Sequence, residues 1–300
     1  LLHTLDNPNT FVDTNNNDFF GYSIDMSGNY AIVGAYREDS GFDVFGNGND
    51  EGKAYIYDVT TGTLLQTIDS PNASGTSQEA YFGFSVAISG NYAIVGALGE
   101  ENNSGKAYIY STSDNWSSIA LEHTLDNPNP FGTTSLDQFG TSVSISGNYA
   151  IVGASSEDEA AGDNSGKAYI YDVTTGTLLQ TLTNPNDFGT VEDDRFGSAV
   201  AISGNYAIVG AYGEKALDGL GGEDLQSGAA YMYSTSNNWA NITLEHILTN
   251  PNSLGEPAFD EFGRSVAIDG NYAIVGAYLE DTTASGAGSV YGVGTVTATG

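Results

Sequence analysis

The sequence predicts an all-β chain: a five-bladed β-propeller of four-stranded antiparallel blades, closed by the N-terminal strand. Three observations predict it. One stretch returns five times, each copy carries the period of paired strands, and a lone fourth-strand segment opens the chain.

The repeat runs from Phe-Gly to Gly-Ala: Phe20-Gly21 to Gly34-Ala35, Phe82-Gly83 to Gly96-Ala97, Phe139-Gly140 to Gly153-Ala154, Phe196-Gly197 to Gly210-Ala211, and Phe262-Gly263 to Gly276-Ala277. Glycine-to-glycine spacing within a copy is always 13, and between copies it is 62, 57, 57 and 66. The core of each unit is fixed and the loops absorb the variation. In the second copy, Ser85, Ala87 and Ser89 alternate with Val86 and Ile88, the period of a strand. Gly90-Asn91 then reads as a tight hairpin turn. Further strands are expected over Ala93–Val95, Ala107–Tyr110 and Leu121–Leu125. No segment has a helical period with caps. A four-stranded sheet cannot cover both its faces alone, so neighbouring units must stack.

At the start, Leu2-His3-Thr4-Leu5 matches the fourth strand of other units, while the last unit has a third strand near Ser289-Val290-Tyr291 and no clear fourth. The first strand is therefore expected to complete the last blade and cover its edge. Blades are placed at 11–68, 69–125, 126–182, 183–248, and 249–293 plus strand 1–6, with a tail at 294–300. Five of the seven prolines (Pro8, Pro71, Pro128, Pro185, Pro251) follow the fourth strand, where a missing N–H ends the ladder. Tyrosines recur after the turn and on strand three, and their rings are expected to fill the space between blades. Units one and three share DVTTGTLLQT; units two and four share STSxNW, so blade types alternate.

Composition bounds the function. Seven basic residues stand against 38 acidic ones, for a formal net charge of −31. Phosphate contact needs Lys and Arg, so nucleic-acid binding is excluded, and an anionic membrane surface repels the chain. The absence of cysteine removes disulfides and thiol chemistry, and no apolar run is long enough for a membrane span. Asn-x-Ser/Thr sequons at Asn72, Asn102, Asn115 and Asn241 fit a glycosylated extracellular surface.

Hairpin geometry gathers acids at one end of the ring. With the turn at Gly28-Asn29, Asp18 falls opposite Glu38 or Asp39; likewise Asp137 meets Glu157, Asp194 meets Glu214, and Asp260 meets Glu280. Glu100 holds the same place in the second unit, where Ala80 replaces the Asp. Two carboxylates about 5 Å apart repel by roughly 3 kcal/mol at an effective dielectric of about 20. A calcium ion would relieve that, as would donors from loop amides or Tyr hydroxyls, or separation by solvent. These nine acids are the candidate metal ligands. Glycosidase carboxylates are singular and asymmetric, whereas these recur by repeat symmetry. His3, His123 and His246 share one fourth-strand position around the rim and read as structural. No nucleophile elbow or phosphate-cradling loop is present in the right context.

The Phe-Gly and Gly-Ala brackets resemble FG-GAP repeats, the units of the integrin α-subunit propeller and of many bacterial extracellular proteins, over nearly the whole chain. The resemblance implies extracellular adhesion or structural roles, often with calcium held in Asp-rich loops. Integrin-type propellers have seven blades, and five are counted here. The nearest calcium-loop match, Asp13-Thr14-Asn15-Asn16-Asn17-Asp18, lacks the central Gly of that motif. Asp13, Asn15 and Asn17 are its candidate ligands. The expected function is a non-catalytic extracellular propeller for adhesion or surface structure, with an extracellular protein or glycan, or copies of itself, as partner. The alternatives are a filament subunit, a lectin, and a polysaccharide-degrading enzyme.

Overall fold

The computed structural model describes residues 2–9, 17–39, 50–72, 79–129, 136–158, 164–185, 192–216, 225–251, 260–280 and 288–294. The first blade comprises β1 (Ser23–Ser27), β2 (Tyr30–Ala35), β3 (Lys53–Asp58) and β4 (Thr63–Asp69). The second comprises β5 (Phe82–Ser89), β6 (Tyr92–Ala97), β7 (Lys106–Ser111) and β8 (Ala120–Asp126). The third comprises β9 (Phe139–Ser146), β10 (Tyr149–Ala154), β11 (Lys167–Asp172) and β12 (Thr177–Thr183). The fourth holds β13 (Phe196–Ser203), β14 (Tyr206–Ala211), β17 (Ala229–Ser234) and β18 (Thr243–Thr249), with a two-residue ribbon, β15 (Lys215–Ala216) and β16 (Leu225–Gln226), between its second and third strands. The fifth has β19 (Phe262–Asp269), β20 (Tyr272–Ala277) and β21 (Ser289–Gly294). Each blade is an antiparallel meander in chain order.

The hairpin reading holds from the turn to the Gly of Gly-Ala, beyond which a bulge at Phe-Gly shifts the register by two in blades two to five and sets Asp137 opposite Ser156, next to Glu157. Ser23 pairs with Gly34 and Ser27 with Tyr30, so the turn centres on Gly28-Asn29. Gly28, Gly90, Gly147, Gly204 and Gly270 all have φ between 51° and 59°, while the Asn after each does not. Positive φ at the first central residue alone is the type II′ pattern, which matches the twist of the strands.

Blades stack through their first strands: each packs on the first two strands of the blade before it. The hydrophobic clusters therefore lie between blades. Ile32, Ile56 and Ile68 of blade one join Phe82, Val86 and Val95 of blade two, and the pattern repeats down the chain. The third-strand tyrosines Tyr108, Tyr169 and Tyr231 belong to these shared clusters and so fill the space between blades, each with the Phe of its own blade 5.5–5.7 Å away. Strands such as β6, covered on both faces, are buried almost throughout, whereas β1 and β21 alternate between partly buried and exposed because one face of each is open.

One expectation differs from the structure. Leu2–Asn9 forms no strand and does not pair with β21, which ends a three-stranded sheet. Instead Leu5 packs with Val33, Tyr55 and Tyr57 on blade one, and His3 Nε2 hydrogen-bonds Thr60 O at 3.0 Å. The segment sits on blade one as a preceding blade's fourth strand would. Its fourth-strand sequence was read correctly, but the fifth blade was assumed to adjoin blade one.

Candidate functional site

Each blade brings its repeated acids to the Phe-Gly end, and each acid meets a dedicated donor. The hydroxyl of the third-strand tyrosine donates to the glutamate: Tyr55 to Glu38, Tyr108 to Glu100 (2.7 Å), Tyr169 to Glu157 (2.6 Å to each oxygen), Tyr231 to Glu214 and Tyr291 to Glu280. The asparagine before the conserved-position proline donates to the aspartate: Asn7 to Asp18 (2.8 Å), Asn127 to Asp137 (2.8 Å), Asn184 to Asp194 (2.7 Å) and Asn250 to Asp260 (2.6 Å). In blade two, where Ala80 stands in the Asp place, Ser70 and Asn72 turn to Glu100 instead, at 3.4 and 3.3 Å. The glutamate main chain also pins the loop, since Glu38, Glu157, Glu214 and Glu280 each accept the N–H of the glycine leading into strand three, at 2.9 Å. Sequence reading missed the asparagines. The recurring Asn-Pro-Asn at 7–9, 127–129, 184–186 and 250–252 was the available signal.

All five glutamates are buried, as are Asp137, Asp194 and Asp260. For Glu38, Glu100, Glu157 and Glu214 burial is the largest influence and favours the neutral acid. It pushes Glu214 up to about 8, with Asp194 adding to the rise and the Tyr231 hydroxyl opposing it. Glu38 is held at about 7 by burial and by Asp18, against Tyr55 and Lys53. Glu157 is also raised by burial, although Lys167 Nζ lies 2.7 Å away. Glu100 and Asp137 are raised for the same first reason. The paired acids are therefore met by tyrosine and asparagine donors.

Calcium takes about six to eight oxygen ligands. Among the described residues, no group of three or more His, Asp or Glu side chains is placed to hold a metal ion. Each Asp–Glu pair supplies two carboxyl groups, whose oxygens take hydrogen bonds from Tyr and Asn donors. Asp13 and Asn15 lie outside the described residues, and Asn17 is exposed. Of the sequons, Asn102, Asn115 and Asn241 are exposed, while Asn72 is partly buried with its amide on Glu100. The histidines act at the rim: the His3 and His123 rings cover Gly62 and Gly176, the turn glycines of the following blade.

The surface departs from repeat symmetry just after Phe-Gly. The residue after Phe-Gly is Tyr22, Phe84, Thr141, Ser198 and Arg264 in the five blades. Blades one and two thus raise an aromatic cluster beside their Phe-Gly ends. Tyr22 lies 4.6 Å from Tyr36 and 5.1 Å from Phe84, and Phe19 stacks on Tyr36 at 5.2 Å. Arg37 covers Phe19, Tyr36 and Tyr81 at 5.6–5.7 Å, and Arg264 lies 4.4 Å over Tyr212. Tyr22 remains 53% exposed and Phe19 is exposed as well. Such a partly solvent-exposed cluster is the candidate contact surface of the described residues.

No curated protein matches the chain. The solved structure titled "Complex of KlAtg21 with coiled-coil of AgAtg16" is similar over 76% of this chain and 57% of that one, at 10% identity and a TM-score of 0.46. The chain thus spans little more than half of that protein's length, and so slight a likeness carries no argument. The profile described as FG-GAP repeat matches at residues 10–57, 72–110, 132–171, 188–233 and 256–293, one match per blade. On five matches that span most of its length, this chain belongs to the FG-GAP repeat family.

Proposed function

We propose that this chain is a non-catalytic, extracellular propeller-like domain serving adhesion or surface structure, and that it meets an extracellular protein or glycan through the aromatic cluster around Tyr22. The observation that carries this reading is the contrast between the two sets of polar and aromatic groups. The acids recur in every blade and are consumed by Tyr and Asn donors, which is what a structural role requires. The cluster of Phe19, Tyr22, Tyr36 and Phe84 breaks the repeat, with Phe19 and Tyr22 facing solvent and Tyr36 and Phe84 half-buried beneath them. Aromatic faces with a guanidinium beside them suit the apolar face of a sugar ring or an aromatic-rich peptide. The net charge of −31 keeps such a domain soluble and repels anionic surfaces. Calcium has no part in this reading.

The test is binding to immobilised polysaccharides and extracellular proteins, with Tyr22→Ala as the variant. A bound partner is expected, with affinity reduced about tenfold or more in Tyr22→Ala and an unchanged melting midpoint. Binding that ignores Tyr22, or product release from an acidic polysaccharide, would overturn the proposal.

A further inference from the structure

The interior interfaces repeat one set of contacts. Ser23 Oγ donates to Gly83 O at 2.8 Å, Ser85 Oγ to Gly140 O at 2.7 Å, and Ser142 Oγ to Gly197 O at 2.7 Å. A Cβ on Gly34, Gly96, Gly153 or Gly210 would lie 2.0–2.2 Å from that same carbonyl of the next blade. The hydroxyls of Ser27, Ser89, Ser146 and Ser203 accept the turn-glycine N–H of the next blade at 3.0–3.1 Å.

Blade five builds this surface again and presents it to solvent. A Cβ on Gly276 would meet nothing closer than 3.8 Å except Ser265 Oγ of its own blade. Ser265 stands at the hydroxyl-donor position and Asp269 at the turn-acceptor position. A cleft of about 660 Å³ opens there, lined by Arg264, Ser265, Gly276, Tyr278, Ser289 and Val290. Ile274 is 50% exposed, whereas its counterparts Ile32, Ile94, Ile151 and Ile208 are fully buried. Blade one shows the complementary half. A Cβ on Gly21 would meet nothing within 4 Å, while one on Gly83, Gly140, Gly197 or Gly263 would lie 2.1–2.4 Å from a carbonyl of the blade before. Ile24 is 71% exposed where Val86 is buried.

The strand lying on blade one identifies the type of blade that is missing. Gln66 and Gln180, on the fourth strands of blades one and three, donate to Trp116 O and Trp239 O at 2.9 and 2.8 Å. Histidine holds that position in blades two and four, and His123 covers Gly176 of blade three. His3 covers Gly62 in the same way, and Asn7 reaches Asp18 as Asn127 reaches Asp137. Leu2–Asp6 therefore stands where the fourth strand of an even, histidine-type blade would stand.

We propose that the gap between blades five and one takes one further FG-GAP blade of the even type, whose Phe-Gly edge seats against Gly276, whose outer face covers Ile24, and whose fourth strand is Leu2–Asp6. An even-type blade there would also continue the alternation seen across blades one to four. The assignment rests on the repeat geometry and is independent of the adhesive role.

Hydrogen exchange tests it in two steps. In the 300-residue chain, β1 and β21 are expected to exchange at least about tenfold faster than β5 and β13, because their faces are open. A chain in which a second copy of residues 59–112 follows Gly294 gains a glutamine-type fourth strand for blade five and three strands of an even-type blade. In it, β1 and β21 should slow to the level of β5, and the melting midpoint should rise. Gly276→Ala should abolish that gain while costing the original chain little, since only the Ser265 hydroxyl must rotate. Equal protection of β1, β21 and β5 in the original chain would mean that five blades already close, and would overturn the proposal. So would an extension that leaves exchange unchanged, or a gain that survives Gly276→Ala.

Discussion

Glu214→Gln separates a carboxyl that the fold carries neutral from one that it carries as an anion. Glu214 titrates near about 8 in the folded chain, against an ordinary value of 4.5. The folded state therefore binds this proton more tightly than the unfolded state does. Its contribution to stability is complete below about pH 4.5, falls as the pH climbs, and is gone above about pH 8. At about 1.4 kcal/mol per unit, the whole excursion amounts to at most about 5 kcal/mol. Glutamine keeps the shape and an oxygen for the Tyr231 hydroxyl, but it has no proton to lose. Melting curves of the wild type and Glu214→Gln, followed by near-ultraviolet circular dichroism at fixed ionic strength, should therefore diverge with pH. Near pH ~5 the two should melt within a few degrees of each other, and near pH ~8.5 the variant should melt higher by roughly 4–10 °C, at about 2 °C per kcal/mol. Comparing wild type with variant removes the shared slope from Glu38 and from the general charge of −31. A variant that is less stable than wild type by the same margin at both pH values would refute the reasoning. Tyr231 would then be holding a carboxylate, and burial would not be deciding its charge.

Gly96→Ala places a methyl group 2.2 Å from Gly140 O between two blades; a loss of about 1–3 kcal/mol is expected in chemical denaturation, and a neutral result would mean that the blades can part at no cost. Asn127→Ala should cost less than about 1 kcal/mol, because Asn129 still donates to Asp137 at 2.8 Å, whereas the double change with Asn129→Ala should cost more than the two single changes together. Strict additivity in a double-mutant cycle would count against a shared role. Millimolar calcium and EDTA at matched ionic strength should give melting midpoints within about 1 °C of each other, since the acids already have tyrosine and asparagine donors. A shift of several degrees specific to calcium would show that the acidic pairs, or the loop at 13–17, bind it.

The fold was legible because each level of the sequence repeats the same instruction. The Phe-Gly to Gly-Ala bracket fixes two strands and their turn, and the structure pairs Ser23 with Gly34 as the hairpin arithmetic requires. The approach of Asp to Glu was legible for the same reason, since register determines which residues face each other. The partners of those acids were not. The rings of Tyr55 and Tyr231 are interblade filling, as their strand-three positions predict, but a hydroxyl's reach to a glutamate in the loop after strand two is a three-dimensional fact. The asparagines lie outside the strand pattern, so periodicity could not find them. The position of Leu2–Asn9 was misread because a sequence match identifies the strand's type and not the neighbour it sits beside.

Repeat symmetry also decides where function can lie. A group that recurs in every blade answers a need that every blade has, and the Glu–Tyr and Asn–Asp bonds answer the need to bury acids where loops cross from strand two to strand three. Selection for a partner acts on one surface and so must break the pattern. The pattern breaks after Phe-Gly, where Tyr22 and Phe84 in adjacent blades face Thr141 and Ser198 elsewhere, and where Arg264 ends the series. Placing Thr at both aromatic positions would restore the symmetry of blade three. If the argument is right, Tyr22→Thr with Phe84→Thr leaves the melting midpoint within a few degrees, because these side chains stand largely in solvent or beside one another, and removes binding. A large fall in stability would instead assign the cluster to the fold, and the symmetry-breaking would then have a structural cause.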